Sequence, residues 1–339
     1  MSNGSNKKVT ATDVARLAGV SQSSVSRAFS KSSSVSKTKK ARILEAAEKL
    51  GYQPNAFARG LTTNKSRIIG IVMRNVGNPF YPEVLEKFYN KLSERGYQLL
   101  FINSENNEIK EDEISQLIEY SVEGVIITDA LLASSAVQRF LRNGISVVLF
   151  NRYIYFSGCS AVYCDNYSAA KKIGSYLLEK GHQKPAFISG PTNTSTTIDR
   201  EKGFKEALFE GGIVTFPSED GKYSYEGGFD AAIRLLKDNP AVDSIFCAND
   251  VSAFGAMDAI KKMGYRVPED ISIIGFDNVK TSGWASYELT TWLQPVDEMV
   301  EHSIKLLLEE ENKSSDQPIM KGLQGSLVER NSVRDRNNG

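Results

Sequence analysis

The 339 residues carry 41 lysines and arginines against 41 aspartates and glutamates, with 41% apolar and 24% charged side chains. That balance suits a soluble chain long enough for two or three domains, and no run of about 18 apolar residues suggests a membrane helix. Two histidines, three cysteines and the absence of any HExxH or CxxC pattern leave little material for a metal centre, so neither metal nor cofactor is expected.

Overall neutrality conceals a division. Residues 1–67 hold 13 basic side chains against three acidic ones, which leaves 28 against 38 for the remainder. A compact cationic head on an acidic body is the electrostatic footprint of a nucleic-acid binder. The opening MSNGSNKKVT places no apolar stretch after its lysines, which argues against export and for a cytoplasmic protein. Cys159, Cys164 and Cys247 lie in or beside apolar strand-like runs and are expected as buried free thiols.

The segment 10–30, TATDVARLAGVSQSSVSRAFS, reads as two helices joined by a tight turn. Thr10 with Asp13 forms the S/T-x-x-D/E signal of a helix start, and Val14, Leu17 and Ala18 make one apolar face. Gly19 supplies the left-handed stop. Ser21 caps the second helix, whose Val25 and Phe29 point back at the first, and small Ala15 permits the close crossing of a helix-turn-helix. A third helix follows KSSSVS, with Ser36 as cap, Ile43, Leu44, Ala47 and Leu50 inside, and Gly51 as stop. Gln22, Ser23, Ser26 and Arg27 face outward from the second helix. Gln pairs with adenine and Arg with guanine through bidentate bonds in the major groove. Lys37, Lys39, Lys40 and Arg42 suit phosphates, with Thr10, Ser21 and Asn55 as further phosphate contacts. The next stretch, GYQPNAFARGLTTNKSR, has a helix start at Pro54 and about two turns to Leu61. A helix so short is marginal alone, and Gly60 weakens it by up to about 1 kcal/mol. It reads as a hinge that orders against a partner, with Leu61 as a wedge for a minor-groove base step and Ala58 and Thr62 beside it.

From Arg67 onward, β-rich runs at 68–73, 97–102, 124–128, 145–150, 185–190, 243–248 and 270–276 alternate with amphipathic stretches at 82–95, 109–120, 167–180 and 251–263. Such alternation means parallel sheets with helices on both faces, and the length fits two doubly wound lobes. Ligands bind outside the carboxyl ends of such strands. There the sequence places Asn78, Asn151-Arg152, Asn249-Asp250 and Asp277-Asn278, polar groups that suit a facing cleft. His182 is expected to order a turn, and Trp284 and Trp292 to lie in the core or at a cleft rim.

VTATDVARLAGVSQSSVSRAF followed by GYQPNAFARGL resembles the head and hinge of the LacI/GalR family of bacterial transcription regulators. The likeness continues through NPFYPEV, GHQKPAFISGP, CANDVSAFGAM and DISIIGFDN, nearly the whole chain. It implies an all-α helix-turn-helix head at 8–53, a hinge at 54–66 and a periplasmic-binding-protein-like α/β core. The core lobes would be 67–165 with 294–325 and 166–293 with 326–335, the chain crossing between them three times. It implies base contacts from Gln22, Ser23 and Arg27, and Leu61 intercalating at the centre of a palindromic operator. It also implies an effector cleft lined by Asn151, Arg200, Asn249 and Asp277, with Tyr223 as aromatic platform and Phe80 and Tyr81 in the first-lobe wall beside Asn78. Amides, a carboxylate and a guanidinium beside an aromatic face suit a polyhydroxylated ligand.

Two hinge positions depart from the family pattern: Gly60 stands where many members carry Ser, and Thr62 where several carry Lys. Asn151 stands where sugar-responsive members commonly carry Asp, which leaves phosphosugars, polyols and acidic sugars open. The implied assembly is a homodimer, and the short stretch after LVER leaves no room for a tetramerising helix. Two other classes share features with this reading. A two-lobed solute-binding protein would share the body but have no use for a cationic head. An α/β enzyme would want a GxxxxGK[ST], GxGxxG or GxSxG element, and none is present. A regulator answering to a partner protein on the outer lobe surface is the lesser variant of the leading reading.

Overall fold

The computed structural model describes residues 9–29, 35–53, 65–74, 76–104, 109–128, 134–154, 158–308 and 317–337. Residues 1–67 and 68–339 are separate compact units. In the first, helix α1 (Ala11–Ala18) starts where the Asp13 carboxylate accepts from the Thr10 amide at 3.1 Å and the Thr10 hydroxyl at 2.7 Å. It ends at Gly19, φ 61°, a left-handed conformation that costs a side chain energy. Helix α2 (Gln22–Ala28) begins with the Ser24 amide donating to Ser21 Oγ at 3.3 Å. Helix α3 (Lys37–Leu50) has Ser36 at its N-cap position, but the side chain makes no capping bond. Val14, Ala15, Ala18, Val25, Ala28, Ile43, Ala46 and Ala47 form the core.

Two sequence expectations are corrected here. Leu17 is 53% exposed and Leu44 42% exposed. Four core positions on α1 and α3 are alanines; they let the helices approach closely, and the narrow buried arc leaves both leucines outside it. Arg42 donates from Nη2 to the Ala18 carbonyl at 2.7 Å, tying α3 to the end of α1.

The second unit alternates strand and helix. Its first half runs β1 (Ile68–Met73), α4 (Phe80–Glu94), β2 (Gln98–Asn103), α5 (Glu111–Glu119), β3 (Gly124–Thr128), α6 (Ser134–Arg142), β4 (Ser146–Phe150) and β5 (Ser160–Cys164). The second half runs α7 (Asn166–Glu179), β6 (Pro185–Ser189), α8 (Ser195–Glu210), β7 (Ser218–Asp220), α9 (Tyr225–Asp238), β8 (Ser244–Cys247), α10 (Asp250–Lys262), β9 (Ser272–Asp277) and β10 (Thr290–Leu293). Then come α11 (Val296–Leu308), β11 (Met320–Leu323) and β12 (Ser326–Val328).

Two six-stranded sheets result, ordered β11-β5-β4-β3-β1-β2 and β12-β10-β9-β8-β6-β7. All pairings are parallel except β10 with β12. Each sheet anchors one lobe, and the chain passes between them after β5, after β10 and after β11. The Asp165 amide donates to the Leu323 carbonyl at 2.8 Å, and Gln324 Nε2 to Asp165 Oδ2 at 2.7 Å, which ties two of these passages together.

Alternate residues of β1 explain why both faces are covered. Ile69, Ile71 and Met73 pack with Phe88, Leu92 and Phe150. Val72 packs with Val125, Leu117 and Phe140 on the opposite face. Strand runs buried on both sides read as continuous apolar stretches, which is why they were visible in the sequence. His182, 1% exposed, has Nδ1 3.3 Å from Asp243 Oδ1 and Nε2 3.2 Å from the Arg334 carbonyl, so it pins the turn before β6 to the segment after β12. Among the described residues no helix is long and apolar enough to cross a membrane, and no acidic, His or Cys cluster could hold a metal ion.

Candidate functional site

Two surfaces carry the candidate residues. On the head, Gln22, Ser23, Ser26 and Arg27 are exposed on α2, at i, i+1, i+4 and i+5, opposite buried Val25 and Ala28. Side chains three and four apart share one helix face, so the four form a single outward stripe. Thr10, Ser21, Lys37 and Lys39 are exposed and Lys40 is half-buried. Asn55, Ala58, Leu61 and Thr62 lie outside the described residues.

In the second unit a narrow cavity is lined by Asn78, Phe80, Tyr81, Asn151, Arg152, Thr196, Arg200, Tyr223, Asn249 and Asp277. The eight cleft residues that the family likeness implied are among them, as is Arg152 from the strand-end series; Thr196 is additional, while Asp250 and Asn278 do not line the cavity. These side chains come from both lobes, beyond the carboxyl ends of β1, β4, β8 and β9 and from the starts of α4, α8 and α10. Water-sized molecules have about 20 Å³ in which to place their centres. That is room for about one or two waters, so the cavity must widen to admit anything larger.

Local geometry fixes each wall. Asn78 Oδ1 accepts from the Phe80 amide and Asn249 Oδ1 from the Ser252 amide, both at 3.0 Å, and Asn249 is thereby the N-cap of α10. Arg200 is 2% exposed; its Nε donates to Asn166 Oδ1 at 2.8 Å and its Nη1 to the Ala248 carbonyl, and its guanidinium carbon lies 3.5 Å from the centre of the Phe276 ring. Tyr223 donates or accepts at Thr197 Oγ1 (2.7 Å) and Thr196 Oγ1 (3.1 Å), and its ring lies so close to Gly190 that a Cβ there would sit 2.2 Å away. Asn151, Tyr223 and Asp277 have φ of 69°, 54° and 115°. Positive φ is uncommon for residues with side chains, and three instances around one cavity are the kind of strain that gathers at binding sites.

Asp277 accepts from Gln294 Nε2 at 2.7 Å. Behind it the fully buried Asp250 accepts from the Val279 amide at 2.9 Å and the Thr291 hydroxyl at 2.5 Å. Burial and the neighbouring Asp277 push the Asp250 carboxyl well above the usual range. Cys164, Cys159 and Cys247 are buried and joined in no disulfide. Burial drives Cys164 up to about 12 despite nearby Arg200, and Cys247 upward too, so neither is a ready nucleophile.

Beside the cavity one tyrosine bridges the lobes. The Tyr153 amide donates to Ser195 Oγ at 3.1 Å, and its phenol to Asp199 Oδ2 at 2.8 Å. Helix α8 thus uses two i, i+4 pairs: Thr196 and Arg200 line the cavity, while Ser195 and Asp199 grip Tyr153. Trp284 is 61% exposed and Trp292 is 2% exposed; neither lines the cavity.

Residues 10–55 match the family described as bacterial regulatory proteins, lacI family, and residues 66–312 match that of periplasmic binding proteins and sugar binding domain of LacI family. The chain belongs to the LacI family. As a LacI-family protein it is a DNA-binding transcription regulator, with a helix-turn-helix head and a two-lobed α/β core. It is 32% identical over 332 residues to the HTH-type transcriptional repressor PurR of Edwardsiella ictaluri, covering 95% of this chain and 96% of that protein. Catabolite control protein A of Priestia megaterium is 31% identical over 314 residues, 91% of this chain and 94% of that one. Among solved structures, the Lac repressor dimer bound to operator and the anti-inducer ONPF superposes with TM-score 0.87 at 24% identity, over 97% of this chain and all of that one, a likeness of fold. The transcriptional regulator CelR–cellobiose complex superposes with TM-score 0.70 at 26% identity, over 96% of this chain and all of that one.

For this LacI-family regulator the sequence missed one lining residue, Thr196, which precedes Arg200 by one helical turn. The i, i+4 spacing was the available signal for Thr196, once 195–210 is known to be helical.

Proposed function

We propose that the chain is a cytoplasmic, homodimeric repressor of transcription whose grip on a palindromic operator is set by a small sugar-class effector held between the core lobes. The observation that carries this is the strained polar cavity joining both lobes, in a chain that also bears a helix-turn-helix with an exposed Gln22–Arg27 stripe. Gln22, Ser23, Ser26 and Arg27 read base edges. Thr10, Ser21, Lys37, Lys39, Lys40 and Asn55 hold phosphates, and Leu61 with Ala58 and Thr62 occupies the central minor groove. Asn78, Phe80, Tyr81, Asn151, Arg200, Tyr223, Asn249 and Asp277 hold the effector.

The response is a binding equilibrium with no catalytic step. A ligand that fits the joined lobes better than the parted ones shifts that balance, and its effect on DNA affinity equals the effect of DNA on its own affinity. The test selects operators from random duplexes with the full chain, then titrates sugars into the complex. Arg200→Ala should keep operator binding and lose the sugar response. A fully responsive Arg200→Ala protein would place the effector elsewhere.

A further inference from the structure

We propose that Arg42 is a positioning residue for DNA recognition: it ties α3, the helix that grips phosphates, to the elbow from which the base-reading helix α2 departs. The inference rests on the reading of the head above and adds what sets the angle between its two kinds of contact. Helix α1 ends at Ala18 and α2 begins at Gln22, with only Gly19, Val20 and Ser21 between them. The elbow closes on itself where the Val20 amide donates to the Ala15 carbonyl at 3.0 Å, just past the left-handed glycine. The Ala18 carbonyl is one of the acceptors that a helix leaves over at its C-terminus. Arg42 Nη2, 24 residues further along the chain, donates to it at 2.7 Å. A cation there also meets the negative end of the α1 dipole, so charge and hydrogen bond act together. Gly19 keeps that approach open: at φ 61° a side chain is disfavoured, and a Cβ would stand 3.1 Å from the same Nη2.

Helix α3 has reason to need an outside tie. Lys37, Lys39 and Lys40 fall in its first turn, which holds no acid, so three cations stand against the positive end of the helix dipole. That arrangement costs helix stability and suits anions supplied by a partner. The Ser36 side chain caps none of the first-turn amides. Arg42 lies two residues past Lys40 and directly before Ile43, which is fully buried in the core of the head. Its bond to Ala18 therefore joins the lysine end of α3 to the start of α2. Phosphate contacts fix where a protein sits on the duplex, and base contacts read sequence only when their donors arrive in register. With the tie cut, the lysines still hold the backbone, while Gln22 and Arg27 meet base edges at a less defined angle. Discrimination falls and the electrostatic grip stays.

The experiment takes one duplex selected from a random pool by the full chain and one scrambled duplex of the same composition, and measures both affinities from about 50 to 200 mM salt. Arg42→Ala in the full chain should weaken the selected duplex about three- to tenfold, the worth of one charge-assisted bond at an exposed site, and leave the scrambled duplex within about twofold. The salt slope should not change, because Arg42 displaces no counterion. Arg42→Gln, which keeps most of the apolar stem, serves should the alanine variant fail to fold. A head that is merely less stable loses both duplexes in proportion, so the ratio of the two affinities isolates positioning. An unchanged ratio would overturn the assignment. So would an equal loss on both duplexes with a salt slope smaller by about 0.9, which would make Arg42 a phosphate contact. A parent chain that prefers no duplex to its scrambled form would overturn the reading of the head, and this inference with it.

Discussion

Removing one phenolic oxygen should loosen the join between the lobes. Tyr153→Phe keeps the ring against Tyr163, 4.7 Å away centre to centre, and deletes the O–H that reaches Asp199 at 2.8 Å. A hydrogen bond to an ionised acceptor contributes about 1.5–3 kcal/mol. Asp199 is only partly buried, so water recovers some of that and the lower end, about 1.5 kcal/mol, applies. Because the bond runs from one lobe to the other, the loss falls on the joined arrangement alone, a factor of about ten in its balance with the parted one. Burial already raises the Asp199 carboxyl and the Tyr153 hydrogen bond opposes that rise, so the variant should raise it further. Spin labels at Leu141→Cys and Phe209→Cys, both exposed and one on each lobe, would report the inter-lobe distance by pulsed electron resonance. The native thiols are buried and should not label. The longer-distance population should grow about tenfold, and Asp199→Asn should add little on top of it. Identical distance distributions in parent and variant would refute the bridge as a determinant of closure.

Three further outcomes are expected. Arg27→Ala should cost about 1–3 kcal/mol of operator affinity and relax the choice at one base pair, and an unchanged preference in site selection removes it from readout. Burial raises the Asp243 carboxyl, but hydrogen bonds from His182 and the Gln183 amide outweigh it and set the group at about 2, below its ordinary 3.8. The resulting stability, about 2 kcal/mol, is present above pH 4 and lost as pH falls toward 2; Asp243→Asn should flatten that acid limb in urea titrations, and a parallel limb would count against it. Gly255→Ala would set a Cβ 2.0 Å from the Tyr225 carbonyl where α10 crosses α9, and should lower stability by about 1–3 kcal/mol or more; an unchanged melting temperature would contradict the packing.

Much of the architecture was legible because burial wrote it into local sequence. IIGIVM, GVIIT and SIIGFD are covered on both faces and so could hold only apolar or tiny residues, except where they end at the cleft. β7, β10 and β11 were not legible. Ser218–Asp220 is a polar three-residue edge, and Thr290–Leu293 and Met320–Leu323 are too short for periodicity. What makes them strands is pairing with β6, β9 and β5, distant in sequence. Helix α8 was hidden for another reason: its inner face buries Thr196, Thr197 and Arg200, so the polar pattern of a cavity wall masked the apolar stripe of a helix. The cleft asparagines were legible because the end of an apolar strand marks them. Leu17 and Leu44 misled because apolar character does not say how wide a buried arc will be.

Strand order has a consequence for synthesis. The head draws its core from Val14 to Ala47, contiguous sequence that can fold soon after it leaves the ribosome. Neither sheet is finished until β11 and β12 emerge, since β11 pairs with β5 and β12 with β10. At about 5–20 residues per second, translating residues 54–323 takes roughly 15–55 s. For that interval each nascent polypeptide holds a finished reader tethered to an unfinished sensor, and its earliest folding is decided without any metabolite having a say.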